Sequence, residues 1–216
     1  MSNIKLVMLD FDGTIANSFE SIIHCADKMC QNAGLPFDRK IIDQNMGCTT
    51  ENCISLLTGI TDPEYIKRLT DLYNSIYREE GLDMIKLFDG VLDTVKRLHA
   101  QGIKFSITSN NIVPAISYVV NRLGLMPYLD NIIGIDCVER GKPEADIAIE
   151  SMRRAGCTPE ESIVVGDSTF DMGMGVNAGC RCCGVTYGSH DRQTLFNSGA
   201  SWVIDDFREL EKIVLG

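Results

Sequence analysis

Six short apolar runs bounded by turn residues punctuate this chain, at residues 4–9, 103–108, 131–135, 162–165, 181–185 and 202–204. Between most of them lie helix-length segments with apolar residues three and four apart. One such set is Val91, Val95 and Leu98; another is Ile112, Ala115, Ile116, Val119, Val120 and Leu123. Strands alternating with helices imply right-handed crossovers and a parallel sheet. Runs that are apolar throughout suit strands covered on both faces. The expected class is α/β, a parallel sheet with helices on both faces.

One interval breaks the rhythm. From about residue 15 to residue 83 only helical patterns occur, at 18–33, 50–57 and 63–77. An all-helical insertion is therefore expected between the first two strands. It divides the chain into a core of residues 1–14 and 83–216 and a helical unit of residues 15–82.

The charge balance, 20 Lys plus Arg against 30 Asp plus Glu for a net −10, excludes some partners. Nucleic acid and anionic membranes both require a basic face. No apolar run reaches the roughly 18 residues of a membrane span. The first apolar run is too short for a signal peptide and lacks a small-residue cleavage site, so a cytoplasmic protein is expected. Nine cysteines then read as reduced, small core residues. Cys180, Cys182 and Cys183 cluster, but no second Cys or His pair stands at zinc-ligand spacing. Adjacent residues on a strand also point to opposite faces, which favours packing over a metal site.

Ligands of an open parallel sheet bind beyond the carboxyl ends of its strands. Four such ends carry chemistry here. The first is Asp10-Phe11-Asp12-Gly13-Thr14, two carboxylates on a turn that Gly13 permits. A calcium loop would need its glycine at position six, whereas here it is fourth. A plain solvated turn is the bland alternative. The second end, Thr108-Ser109-Asn110, offers hydroxyl and amide groups to a phosphate oxygen, although Ser and Asn are also common turn and cap residues.

The third is Gly141-Lys142-Pro143-Glu144. Pro143 suits a first helical turn, which would put Lys142 at the positive end of a helix, a good anion site. A lone lysine is otherwise an ordinary solvated side chain. The fourth is Gly166-Asp167-Ser168-Thr169-Phe170-Asp171. Asp167 stands at the strand end, while Asp171 could equally be a helix-dipole partner.

In the order acid pair, hydroxyl, lysine, acid, these four motifs resemble the haloacid dehalogenase-like hydrolase superfamily. The segment from Asn177 through Gly188 is similar to its phosphoglycolate phosphatase-like branch. The resemblance implies a Rossmann-like core, a small helical cap formed by the insertion, and a phosphatase using Mg²⁺. In that reading Asp10 is the nucleophile and Asp12 the general acid and base. Lys142, Ser109 and Asn110 hold the phosphoryl oxygens together with backbone N–H groups of the Asp10–Phe11–Asp12 loop. Mg²⁺ is held by the side chains of Asp10 and Asp167 and the carbonyl of Asp12, with Asp171 behind them or acting through water. Gly47, Thr49 and Thr50 form the cap loop that faces the core; alternatively Thr49 or Thr50 caps the following helix.

The implied partner is a small phosphorylated metabolite, phosphoglycolate-like and carrying a second anionic group, bound by a monomer or homodimer. Residues 41–66 contain no Lys or Arg, so neutral donors or basic residues elsewhere in the cap would have to hold that second anion. Two competing readings stay open. Sugar phosphomutases of the family keep both acids but pair them with a His and an Arg at the positions of Ile22 and Thr50. A phosphate-binding protein without turnover would keep the motifs and lose the chemistry. Asn17 and Ala145 depart from the family's commoner Asp and Pro, at positions without an assigned chemical role.

Overall fold

The computed structural model describes residues 3–45 and 48–216. In chain order its strands are β1 (Leu6–Leu9), β2 (Ala16–Asn17), β3 (Lys86–Leu87), β4 (Lys104–Thr108), β5 (Asn131–Ile133), β6 (Ser162–Gly166), β7 (Arg181–Val185) and β8 (Trp202–Ile204). The helices are α1 (Phe19–Ala33), α2 (Arg39–Gln44), α3 (Thr50–Thr58), α4 (Pro63–Ile76), α5 (Leu82–Met84), α6 (Val91–Ala100), α7 (Val113–Arg122), α8 (Asp146–Ala155), α9 (Thr169–Asn177), α10 (Arg192–Asn197) and α11 (Leu210–Leu215).

Among the described residues, six strands form one parallel sheet in the order β5-β4-β1-β6-β7-β8. The class is α/β, as the apolar runs required. Residues along β1 alternate between two cores. Leu6 and Met8 pack with Ile147, Met152 and Met172 of α8 and α9. Val7 and Leu9 join Val95, Leu98 and Val119 of α6 and α7 on the other side. All four β1 side chains are fully buried. Each contributes roughly 1.5–3 kcal/mol on burial, which anchors the strand that carries Asp10 at its end. The nine cysteines are free. Cys182 and Cys183 fall in opposite cores, as neighbours on a doubly covered strand must.

Helices α1 to α5 occupy the chain between β2 and β3. They begin where the sequence offers caps. The Asp38 and Asp62 carboxylates accept from Lys40 N and Tyr65 N, and the Thr49 hydroxyl accepts from Asn52 N. Thr49 therefore takes the capping role that the sequence left open. Among the described residues no helix is long and apolar enough to cross a membrane.

Three local features differ from expectation. The interval expected to lack strands contains Ala16–Asn17, which pairs antiparallel with Lys86–Leu87. Two residues of low strand propensity give no periodic signal; partner and turn order them instead. The helical pattern over 63–77 ends in a π turn at Tyr77–Gly81, where one extra residue shifts the helical phase. Helix α8 starts at Asp146, so Pro143 does not lie in its first turn. Lys142 precedes a cis peptide bond to Pro143 and reaches the site from a loop, not from a helix N-terminus.

Candidate active site

Strand β1 lies between β4 and β6, where the connections diverge to opposite edges of the sheet, and the carboxyl end of such a strand opens a crevice. Asp10 N donates to Val165 O at 2.9 Å, and Ser109 N donates to Ile133 O at 3.0 Å. The Thr108 hydroxyl donates to Leu9 O at 3.4 Å. These ladder bonds bring the ends of three strands together, with Asp10, Ser109 and Asp167 all buried there. Gly13 turns the chain at φ 83°, a backbone conformation open to glycine, and lets Asp12 follow Asp10 into the same space.

Lys142 is the cation of this space. Its Nζ lies 2.5 Å from Asp10 Oδ1 and 2.5 Å from Asp171 Oδ1. Burial acts to lower the pKa of its ammonium, but the charges and hydrogen bonds of the two carboxylates outweigh burial and hold it above its ordinary value. Asn110 braces the lysine. Its Oδ1 accepts from Lys142 N at 2.8 Å, and its Nδ2 donates to Lys142 O at 3.3 Å. Asn110, assigned to phosphate from the sequence, lines the cavity over Asp10 while its amide also holds the lysine backbone. Asp171 is a capping residue as well. Its Oδ2 accepts from Ser168 N and Ser168 Oγ, closing the start of α9.

Asp167 sits in a tight cradle. Its Oδ2 accepts from Ser189 N at 2.7 Å and Ser189 Oγ at 2.6 Å, and its Oδ1 accepts from Thr14 Oγ1 at 3.2 Å. A Cβ at Gly13 or at Gly188 would lie 2.3 Å from this side chain, and a Cβ at Gly166 would lie 2.2 Å from Asp171. Only glycine fits at those three places. Burial first, then the Asp171 charge, pushes the Asp167 carboxyl up to about 6, against the Ser189 hydrogen bonds and Lys142. Asp10 is also raised well above the carboxylate range, by burial and by Asp171, with Lys142 opposing.

Asp12 faces another neighbourhood. Burial raises its carboxyl, while nearby Ser18 and Asn111 and the Lys142 charge act in the opposite sense. Its Oδ2 accepts from Asn111 Nδ2 at 3.5 Å, and its Oδ1 is buried without a partner among the described residues. Asn111 Nδ2 also donates to Tyr77 Oη at 3.5 Å, linking Asp12 to the π turn below α4. A carboxyl whose pKa burial raises suits proton exchange.

A cavity opens over Asp10, Asp12 and Ser109 and is walled by α1, α3 and α4. Ile22, Ile54, Leu57, Tyr73 and Tyr77 are among the apolar and aromatic residues of that wall, with Asn45, Thr50 and Asn74 as neutral polar groups. Of the expected cap loop, Thr50 lines the cavity, Thr49 is used as a helix cap, and Gly47 lies outside the described residues. The Phe11 side chain is buried in the core, and its carbonyl accepts from Ile15 N and Ala16 N. Any role for Phe11 in holding phosphate falls to its backbone N–H.

The family model described as haloacid dehalogenase-like hydrolase matches residues 7–185. The chain belongs to that family. "Probable phosphatase IndB" of Dickeya dadantii is 26% identical over 95% of this chain and 91% of its own length. A phosphoglycolate phosphatase of Pseudomonas putida is 27% identical over 95% of this chain and 78% of its own. A solved Bacteroides fragilis structure, assigned to the haloacid dehalogenase-like hydrolases, superposes with a TM-score of 0.92 at 28% identity. It covers 96% of this chain and 99% of that one.

In this haloacid dehalogenase-like hydrolase, Asp10, Asp167 and Asp171 each offer a carboxylate oxygen, and these atoms lie within 4.8 Å of one another. Lys142 pairs with two of these three buried carboxylates, and burial first, then the Asp171 charge, pushes Asp10 and Asp167 upward. The donors are all oxygen, and the glycine cradle keeps Asp167 in place. This set fits a hard divalent cation such as Mg²⁺. Asp171 stands closer to the acidic group than a purely outlying role implies, but both its oxygens already have partners.

Sequence reasoning missed Thr14, Asn111 and Ser189, which hold the acids, and Tyr77, which holds Asn111. Thr14 closes the first strand-end motif and Asn111 directly follows the second, but neither was given a role. Ser189 carried only the faint signal of a hydroxyl just past the Gly188 turn.

Proposed function

We propose that this chain is a Mg²⁺-dependent phosphatase that hydrolyses a small phosphorylated metabolite through a phospho-aspartyl intermediate on Asp10. The observation that carries the reading is the buried constellation of Asp10 against Lys142, with Asp12 two residues on and lining the same cavity as Asp10. Mg²⁺, held by Asp10, Asp167 and the Asp12 carbonyl, would supply positive charge between the nucleophile and the phosphate. Asp10 attacks phosphorus and Asp12 gives its proton to the leaving oxygen. Asp12 then takes a proton from the water that cleaves the acyl phosphate. Lys142, Ser109 and the loop N–H groups hold the phosphoryl oxygens as charge shifts, with Asn110 fixing Lys142 in place. Residues 15–82 act as the cap, and the paired strands Ala16–Asn17 and Lys86–Leu87 connect it to the core.

The phosphoglycolate phosphatases among the relatives support a small monoester as substrate. Phosphomutase chemistry receives no support from the cavity wall, where Ile22 and Thr50 offer no charge to a second phosphate. Phosphate release from a generic monoester, present with Mg²⁺ and absent with EDTA, tests the reading; release that persists in EDTA would overturn it.

Asp12→Ala is expected to lower kcat by roughly 10² on alkyl phosphates, the usual size of an acid–base contribution. Aryl phosphates need less proton donation to their leaving group, so the deficit should be smaller for them. Equal losses on both classes would remove Asp12 from the proton-transfer role.

A further inference from the structure

The wall of the cavity above Asp12 has a consistent chemistry. Ile22, Ile54 and Leu57 are aliphatic, and Tyr73 and Tyr77 stack with ring centroids 5.8 Å apart and planes 14° from parallel. Asn45, Thr50 and Asn74 add neutral hydrogen-bonding groups, as do Asn110 and Asn111 nearer the floor. No Lys, Arg or His lines the cavity among the described residues. The two residues of the cap loop outside the described set are Met46 and Gly47, neither of which carries charge. Among the cap cations, Lys28 pairs with Glu80, Arg39 with Glu20 and Asp43, and Lys67 with Asp71, while Lys40, Arg68 and Arg78 are exposed and do not line the cavity. Lys142, the cation of the catalytic floor, is already shared between Asp10 and Asp171.

A second anion on the substrate would leave water for an apolar wall without a counter-charge, and above two carboxylates. Burying such a charge unpaired is strongly disfavoured. An uncharged apolar group meets aliphatic side chains and ring faces there. We propose that the alcohol part of the substrate is uncharged and largely apolar, seated against Ile22, Ile54, Leu57 and the Tyr73–Tyr77 stack. This rests on the phosphatase reading and narrows it, away from the second anionic group that the branch resemblance implied.

Benzyl phosphate and 4-carboxybenzyl phosphate have leaving groups of similar reactivity and differ by one carboxylate. With the full chain and saturating Mg²⁺, kcat/KM is expected to favour benzyl phosphate by about 100-fold or more. Phosphoglycolate should also be a poor substrate. Thr50→Lys and Asn74→Lys each place a cation on the wall and should shrink the benzyl-to-carboxybenzyl ratio by about tenfold, the size of one modest charge interaction. The ratio is the readout, so a general loss of rate in either variant does not obscure it. Turnover of both esters with a ratio near one, or with the carboxylate preferred, would overturn the proposal and leave the phosphatase reading standing. A high parental ratio unmoved in both folded variants would also overturn it, since the discrimination would then lie elsewhere. Folded, Mg²⁺-supplied protein that released phosphate from neither ester would overturn the phosphatase reading itself.

Discussion

Asp10→Asn is expected to lose turnover by on the order of 10⁴-fold or more, as removal of a covalent nucleophile does. The amide matches the carboxylate in shape but is not a nucleophile toward phosphorus. The variant should still fold. Asp10 N, not its side chain, makes the ladder bond to Val165 O, and the four residues before it remain buried in β1. The side chain does lose its ion pair with Lys142, but Lys142 keeps Asp171. Burial and the Asp171 charge already disfavour an ionised Asp10, so neutralising it also relieves a strain. Circular dichroism and phosphate release on the same sample separate the two effects. A folded variant within tenfold of the parent's rate would mean that another group attacks phosphorus.

The parallel sheet was legible because its strands are buried on both faces, which leaves apolar runs that no surface element would carry. The four strand-end motifs were legible for a related reason, since an open parallel sheet directs ligands to those ends. Illegible features depend on neighbours distant in sequence. Ala16–Asn17 becomes a strand only beside Lys86–Leu87, and Ser189 matters only because β7 returns the chain to Asp167. The structure brings Lys142 to Asp10 by a different route from the one expected. A proline after the lysine suggested a helix start, but α8 begins three residues beyond Pro143, and the Asn110 amide is what fixes the lysine backbone. Asp171 looked like an ordinary first-turn acid, which it is; that it also grips Lys142 depends on the packing of α8 and α9 around the loop.

Removing the cation and removing an anion from this site should move stability in opposite directions. Lys142→Met leaves Asp10 and Asp171 buried without their shared ammonium. Breaking a buried ion pair from one side costs about 3–5 kcal/mol. For a chain of this size that corresponds to a melting temperature lower by on the order of 10 °C in EDTA near pH 8. Asp167→Asn removes a charge whose folded-state pKa, about 6, lies above the ordinary carboxylate value. Between those two values the native state holds more protons than the unfolded chain, so the metal-free parent loses stability as pH rises through that window. The Asn variant should lack this loss and melt in EDTA at the parent's temperature or above it. Mg²⁺ should raise the parent's melting temperature through binding to the folded state, and the Asp167→Asn variant's by less. For Lys142→Met, Mg²⁺ or a lower pH should recover part of the deficit, because each reduces the uncompensated negative charge. Thermal melts of the three proteins across pH and magnesium test the balance of charge in the site directly. Lys142→Met melting with the parent in EDTA would show that the buried carboxylates do not need the lysine. An Asp167→Asn variant gaining as much from Mg²⁺ as the parent would remove Asp167 from the metal site.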